Sequence, residues 1–234
     1  SKSIYTSGDV ESISNFRVYE EYNEVRFKVT SFSNFAMYAY ELVCEVLDDK
    51  GITKGYYESF SAARDAINIT YDASDAGWTI KLLQNASVEA TQEIVSPWKW
   101  TIDLAGNTLS TDMFSVASGN GTHSLTIKDS SDTKSGKLTG IGTSATINIG
   151  GNCVLTLESG TIEHTSGTAI ALKDNKNKKS AQLIMNGGAV NGTTAVTASS
   201  GTVTINGGEV TGTNSTVDGE AAILVNDNVT LTIK

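Results

Sequence analysis

The chain has 234 residues, 39% hydrophobic and 18% charged, with 22 Gly and a single Pro, a composition that suits stacked strands with tight corners better than helical bundles. A formal charge of −9 argues against a nucleic-acid surface, which needs clustered Lys and Arg. No run is long and apolar enough for insertion in a membrane, and no signal peptide is recognisable.

Residues 1–50 read as a small β-hairpin appendage, the tail of an upstream module. The run 22–30 alternates, with Val25, Phe27 and Val29 on one face and Glu24, Arg26 and Lys28 on the other, which predicts a half-buried strand. Residues 35–46 are its expected partner across a turn at 31–34. The stretch VRFKVTSFSNFAMYA resembles the closing strands of small β-modules in large surface proteins of Gram-positive bacteria, with Ser31 where those modules usually carry a histidine.

Residues 51–77 read as a linker and a capping α-helix. Residues 54–68 are the one helix candidate: Phe60, Ala63, Ala66 and Ile67 fall on one stripe, Arg64 and Asp65 point away, and Ser59 is a plausible N-cap. Such a stripe can cover the open first coil of a solenoid, whose strand edges would otherwise invite aggregation.

From 78 to 234 the chain repeats. An apolar-x-apolar strand returns at Ile80/Leu82, Ile102/Leu104, Leu125/Ile127, Leu155/Leu157, Leu183/Met185, Val203/Ile205 and Leu231/Ile233, at intervals of about 20–30 residues. The position two before each pair extends the inward column: Trp78, Trp100, His123, Cys153, Ala181, Gly201 and Val229. The position between faces out: Lys81, Asp103, Thr126, Thr156, Ile184, Thr204 and Thr232. Seven coils keeping one parity is a strong signal, because a one-residue slip would put the column into water. Gly-led corners recur at 142, 167, 192 and 219, and after the main strand at Gly160, Gly188 and Gly208. Extra residues fall in polar loops at 128–137, 173–179 and 211–220.

Coils of this length with three short strands each resemble the right-handed parallel β-helix of the pectate-lyase-like superfamily. The stretch YYESFSAARDAIN…WTIKLLQNASV…WTIDLAGNTLS is similar to the start of β-helices on bacterial surface proteins, where a capping helix precedes Thr-Ile-x-Leu coils. The resemblance covers residues 55–234. It implies an all-β fold: a right-handed parallel β-helix of about seven coils, with an N-terminal capping helix and a small β appendage. It also implies an extracellular or cell-surface setting. It specifies activity poorly, since the same fold hosts lyases, hydrolases and adhesins.

The chemistry those enzymes use is not legible. Lyases of the superfamily are expected to use a basic residue beside carboxylates that hold Ca²⁺. The arginines here are Arg17, Arg26 and Arg64, all before the coils, while Lys134, Lys137, Lys173, Lys176, Lys178 and Lys179 sit in loops. Hydrolases need close acids. Asp129/Asp132 lie in a Ser-rich loop and Glu158/Glu163 straddle a Gly corner, so each reads as structural or solvated. His123 and His164 read as structural, and Cys153 as a buried inert thiol. Cys44 and Cys153 are too far apart in the sequence to suggest a disulfide framework, and with two histidines they make no metal spacing, so no metal or cofactor is expected. Six Asn-x-Ser/Thr sequons, at Asn68, Asn85, Asn120, Asn191, Asn214 and Asn228, are what a chain rich in Asn, Ser and Thr produces by chance.

Binding surfaces remain. Trp78 and Trp100 share the inward parity and fill the wide first coils, so Trp98, next to Pro97, is the best candidate for an exposed ring that binds a sugar face. The outward threonines resemble the flat ladders of ice-binding solenoids, but the column is broken by Ile184, Lys81 and Asp103, and threonine is simply a good outward strand residue. The sequence therefore reads as a non-catalytic structural or adhesive β-solenoid segment of a large secreted or wall-attached bacterial protein. Its expected partners are host or cell-wall glycans, a protein receptor and flanking domains of the same polypeptide. Its alternative is a polysaccharide-binding module or a divergent polysaccharide-active enzyme. The start at Ser1 and the stop at Lys234, in mid-pattern, read as the ends of a segment.

Overall fold

The computed structural model describes residues 2–5, 14–19, 24–28, 38–70, 77–94, 99–116, 123–173, 181–213 and 221–234. They fall into two compact units, Ser1–Leu42 and Val43–Lys234.

In the first unit β1 (Lys2–Tyr5) pairs antiparallel with β4 (Tyr38–Glu41), and β2 (Ser14–Tyr19) with β3 (Glu24–Lys28). β3 lies within the expected 22–30 strand, but its partner is the preceding strand rather than 35–46. Only four residues separate the two strands in the sequence, and the shorter closure wins.

The second unit opens with β5 (Cys44–Leu47) and β6 (Thr53–Tyr57), antiparallel to each other. The expected appendage boundary at residue 50 lies inside their turn. There the Asp48 carboxylate accepts from the amides of Lys50 and Ile52 at 3.0 and 2.8 Å. Turn residues mark a hairpin as readily as a linker, and β5 goes on to pair antiparallel with β7 (Trp78–Leu82), the first strand of the solenoid.

Between them lies α1 (Phe60–Thr70), which starts later than the expected 54–68 helix because residues 54–57 belong to β6 and Ser59 sets the cap. Ser59 caps it, Oγ accepting from the Ala62 amide at 3.1 Å. Phe60, Ala63 and Ile67 are buried, and the helix packs on β5, β6, β7 and β8 (Ala86–Ile94) at the first coil. Phe60 meets Phe114 edge-on, ring centroids 5.5 Å apart at 89°. Arg64, expected to point away, instead turns back to donate to Gln92 Oε1 at 2.6 Å. Removing the cap with Ser59→Ala should lower stability by about 1 kcal/mol, read as a shift in the urea midpoint at constant slope.

The coils build two sheets. In the first, β7, β9 (Lys99–Asp103), β11 (Ser124–Lys128), β14 (Val154–Leu157), β17 (Gln182–Met185), β20 (Gly201–Ile205) and β23 (Val229–Ile233) stack parallel without a register shift. In the second, β10 (Thr108–Val116) carries β12 (Lys137–Gly140) beside its first half and β13 (Ile147–Ile149) beside its second. Later coils repeat that split: β15 (Thr161–His164) and β16 (Thr168–Leu172), β18 (Ala189–Gly192) and β19 (Thr194–Ala198), β21 (Glu209–Gly212) and β22 (Ile223–Val225). The pairing of β10 with β8 shifts register between Thr111 and Met113, at the level where the successors of β10 divide into two strands. The result is a parallel β-solenoid around one core that runs from Cys44 to Ile205. It makes about five turns rather than seven. The first coil shares its sheet with the antiparallel strands of the cap, and the last is the single strand β23.

The strand register corrects one expectation. Trp78 pairs with Trp100, and Trp100 with Leu125, so Lys81 lies beside Asp103 and Asp103 beside Lys128. The first two coils carry one extra inward residue each (Leu82 and Leu104, both buried), so their last apolar pairs stand two positions out of step with those of later coils. A two-residue slide keeps every side chain on its own face, so no exposed apolar residue betrays it.

Candidate functional site

With the register set, the outer face of the first sheet carries one column of Thr79, Thr101, Thr126, Thr156, Ile184, Thr204 and Thr232. All seven are half-exposed. Lys81 and Asp103 are not in it, so Ile184 is the sole interruption. Rungs about 4.8 Å apart make this column about 29 Å long over its six steps. The neighbouring outward column is mixed: Lys99, Ser124, Val154, Gln182, Thr202 and Thr230. The threonine column is the most regular chemical feature on the described surface.

The polar groups that could have formed a reactive centre are consumed elsewhere. Asp103 and Asp129 are 3% and 2% exposed. Asp103 Oδ1 accepts from the amides of Ala105 at 3.1 Å and Ser130 at 2.9 Å. Asp129 Oδ1 accepts from Gly106 N at 2.8 Å and Ser131 N at 2.9 Å, and its Oδ2 from Gly136 N at 2.5 Å. Burial pushes the Asp129 carboxyl up, but these donors outweigh it and hold the group below the usual carboxylate range. The Lys134 ammonium closes the corner by donating to the Asp129 carbonyl at 2.8 Å. The polar loop 128–137 is thus wrapped around its own acid, while Asp132 is exposed and takes no part. The Asp-x-Ser and Asp-x-Ala-Gly patterns that open these turns are visible in the sequence as Asx turns. The meeting of two such turns from successive coils is not.

Glu158 and Glu163 are likewise separated by their partners. Glu163 takes Lys137 Nζ at 3.1 Å and the Thr139 hydroxyl at 2.9 Å on the second sheet. Glu158 heads a corner ladder, accepting from Asn186 Nδ2 at 2.9 Å, while Asn186 Oδ1 accepts from Asn206 Nδ2 at 2.8 Å.

His164 is 6% exposed and pinned from both nitrogens. Its Nδ1 accepts from the Ser166 amide at 3.1 Å, which leaves the proton on Nε2 to donate to the Ser144 carbonyl at 2.9 Å. Gly140 and Gly167 frame the ring, since a Cβ on either would stand 2.8 or 2.9 Å from imidazole carbons. His123 is buried at the head of β11. Both thiols are free and buried, and burial pushes Cys44 up to about 12 and Cys153 upward as well, so neither is poised as a nucleophile.

No protein-family model, curated protein or solved structure matches the chain. The threonine face and the corner chemistry therefore stand on geometry alone. Among the described residues no three His, Cys, Asp or Glu side chains gather as metal ligands. No described helix is long and apolar enough to cross a membrane. Trp98, the expected ring for a sugar face, lies outside the described residues, as do most of the loops 173–179 and 211–220. Trp78 and Trp100 are 6% and 2% exposed, filling the first coils as their parity required.

Proposed function

We propose that this chain is a non-catalytic structural and adhesive segment of a large secreted or wall-attached bacterial surface protein. The observation that carries this reading is the unbroken register of the first sheet. Each coil is tied to the next by backbone hydrogen bonds along its whole strand, which makes a stiff shaft that resists proteolysis. The described buried acids, Asp103 and Asp129, are spent on backbone amides at corners, the use expected in a scaffold.

The adhesive element of the reading is the threonine column, and it also favours the second reading, a polysaccharide-binding module. Equally spaced hydroxyls and methyls present the same donor, acceptor and apolar edge at every rung, which suits an extended, repeating glycan chain. Sedimentation with insoluble cellulose, chitin and peptidoglycan tests this. The wild-type chain should co-sediment with at least one, and Thr126→Lys with Thr156→Lys should reduce the bound fraction at least about tenfold, or ~1.4 kcal/mol. Binding unchanged by the double substitution would remove the column from the adhesive site. Ice-growth inhibition by the wild type would assign the face to an ice lattice instead. Turnover of any of these polysaccharides, abolished by a single Asp or Glu substitution, would overturn the non-catalytic reading.

A further inference from the structure

The ladder of Glu158, Asn186 and Asn206 has chemistry of its own. Asn186 and Asn206 are each followed by glycine, at Gly187 and Gly207, and both asparagines are exposed. In each corner the first amide past the strand is tied down, Asn186 N to Leu157 O and Asn206 N to Met185 O, both at 2.8 Å. The next tie comes only at Ala189 N and Glu209 N, each at 2.9 Å. Among the described residues the amides of Gly187 and Gly207 donate to nothing. Of the chain's four Asn-Gly pairs, Asn120-Gly121 lies outside the described residues, and Asn191-Gly192 is held differently. Gly192 is a ladder residue of β18, paired with Gly212, and its carbonyl accepts from Thr213 N at 2.9 Å.

We propose that Asn206 is a site of spontaneous deamidation, that Asn186 follows more slowly, and that the strand protects Asn191. The Gly207 nitrogen loses its proton and attacks Asn206 Cγ. A Cγ–N bond forms, the Cγ–Nδ2 bond breaks, and ammonia leaves carrying that proton. Water then opens the cyclic imide at either carbonyl, leaving aspartate or isoaspartate. Three features select Asn206. Gly207 has no side chain to hinder the approach, its amide is uncommitted, and the Asn206 side chain is held only by its one bond to Asn186. Asn186 is held from both sides, donating to Glu158 and accepting from Asn206, so its Cγ has less freedom to turn toward Gly187. Conversion at Asn206 replaces a donor with a carboxylate facing Asn186 Oδ1 and removes that rung of the ladder. The isoaspartate product also adds a backbone atom where Asn206 N and Glu209 N must keep register with the coil beneath.

The test is ageing of the purified full chain at mildly alkaline pH, with peptide mass spectrometry at time points and isoaspartate detection. The expected order is Asn206, then Asn186, with Asn191 unchanged. Gly207→Ala keeps an ordinary backbone angle and places its Cβ 3.1 Å from Asn186 O, so that oxygen must give by a few tenths of an ångström. It should slow loss at Asn206 at least about tenfold, ~1.4 kcal/mol on the barrier, without changing the rate at Asn186. The same chain aged in denaturant should modify Asn186, Asn191 and Asn206 alike. Conversion of Asn191 as fast as Asn206 in the folded chain would overturn the proposal. So would an inert Asn206 in the folded chain while the denatured chain converts it.

Discussion

Asp129→Ala should cost about 3–5 kcal/mol of stability, the larger part from the Ser131 and Gly136 amides left without an acceptor inside the corner. Gly106 is exposed and can turn to water. The neighbouring Asp132→Ala, at an exposed position of the same loop, should stay within about ±0.5 kcal/mol. Urea unfolding of the two variants beside the wild type checks the contrast, and equal losses would show that the loop is not organised around Asp129. The same carboxylate sets an acid limit. Its folded pKa lies below the unfolded value of about 3.9, so the unfolded chain binds the proton more readily. The stabilisation is complete above that value and is lost as pH falls through the folded pKa. The wild type should therefore lose stability more steeply than Asp129→Ala below about pH 4.

Gly201→Ala should be comparably severe, about 3 kcal/mol or more. Gly201 sits at φ 105°, and a Cβ there would lie 2.1 Å from the Ala181 carbonyl oxygen. That oxygen accepts the Thr202 amide at 3.0 Å, so any shift that relieves the clash breaks the first bond between β17 and β20. The inward column explains why the residue is glycine. From His123 through Cys153 and Ala181 to Gly201 the buried side chains shrink coil by coil until no room remains for a methyl group. Because a solenoid's coils are coupled only to their neighbours, the damage should concentrate beyond β17. Hydrogen exchange would then show lost protection in β20 to β23 with β7 to β14 unchanged. Gly150→Ala, where a Cβ meets nothing within 4 Å, is the matched control and should be neutral.

Much of this architecture was legible because a β-strand writes its burial into every second residue. The parity of Leu155/Leu157 or Val203/Ile205 needs no partner to be recognised, and neither does the stripe of Phe60, Ala63 and Ile67 behind the Ser59 cap. The glycines at 188 and 208 mark corners for the same local reason, holding φ values of 76° and 97° that other residues rarely adopt. The roles of single polar residues were less legible. Asp103 has an outward position on its strand, yet it is buried because the Ser130 turn of the next coil closes over it.

The sequence by itself determined that the chain winds into a parallel β-solenoid closed at one end by a helix, because alternation, caps and corner glycines are local properties. Only the tertiary structure decided which residues stand side by side on neighbouring coils. Sliding a strand by two positions leaves its buried face unchanged and so leaves no trace in hydropathy. That choice separated Lys81 and Asp103 from the threonine column and drew the 128–137 loop around Asp129. Pairing across coils is fixed by hydrogen bonds between residues some 20–30 positions apart, and no single strand carries that information.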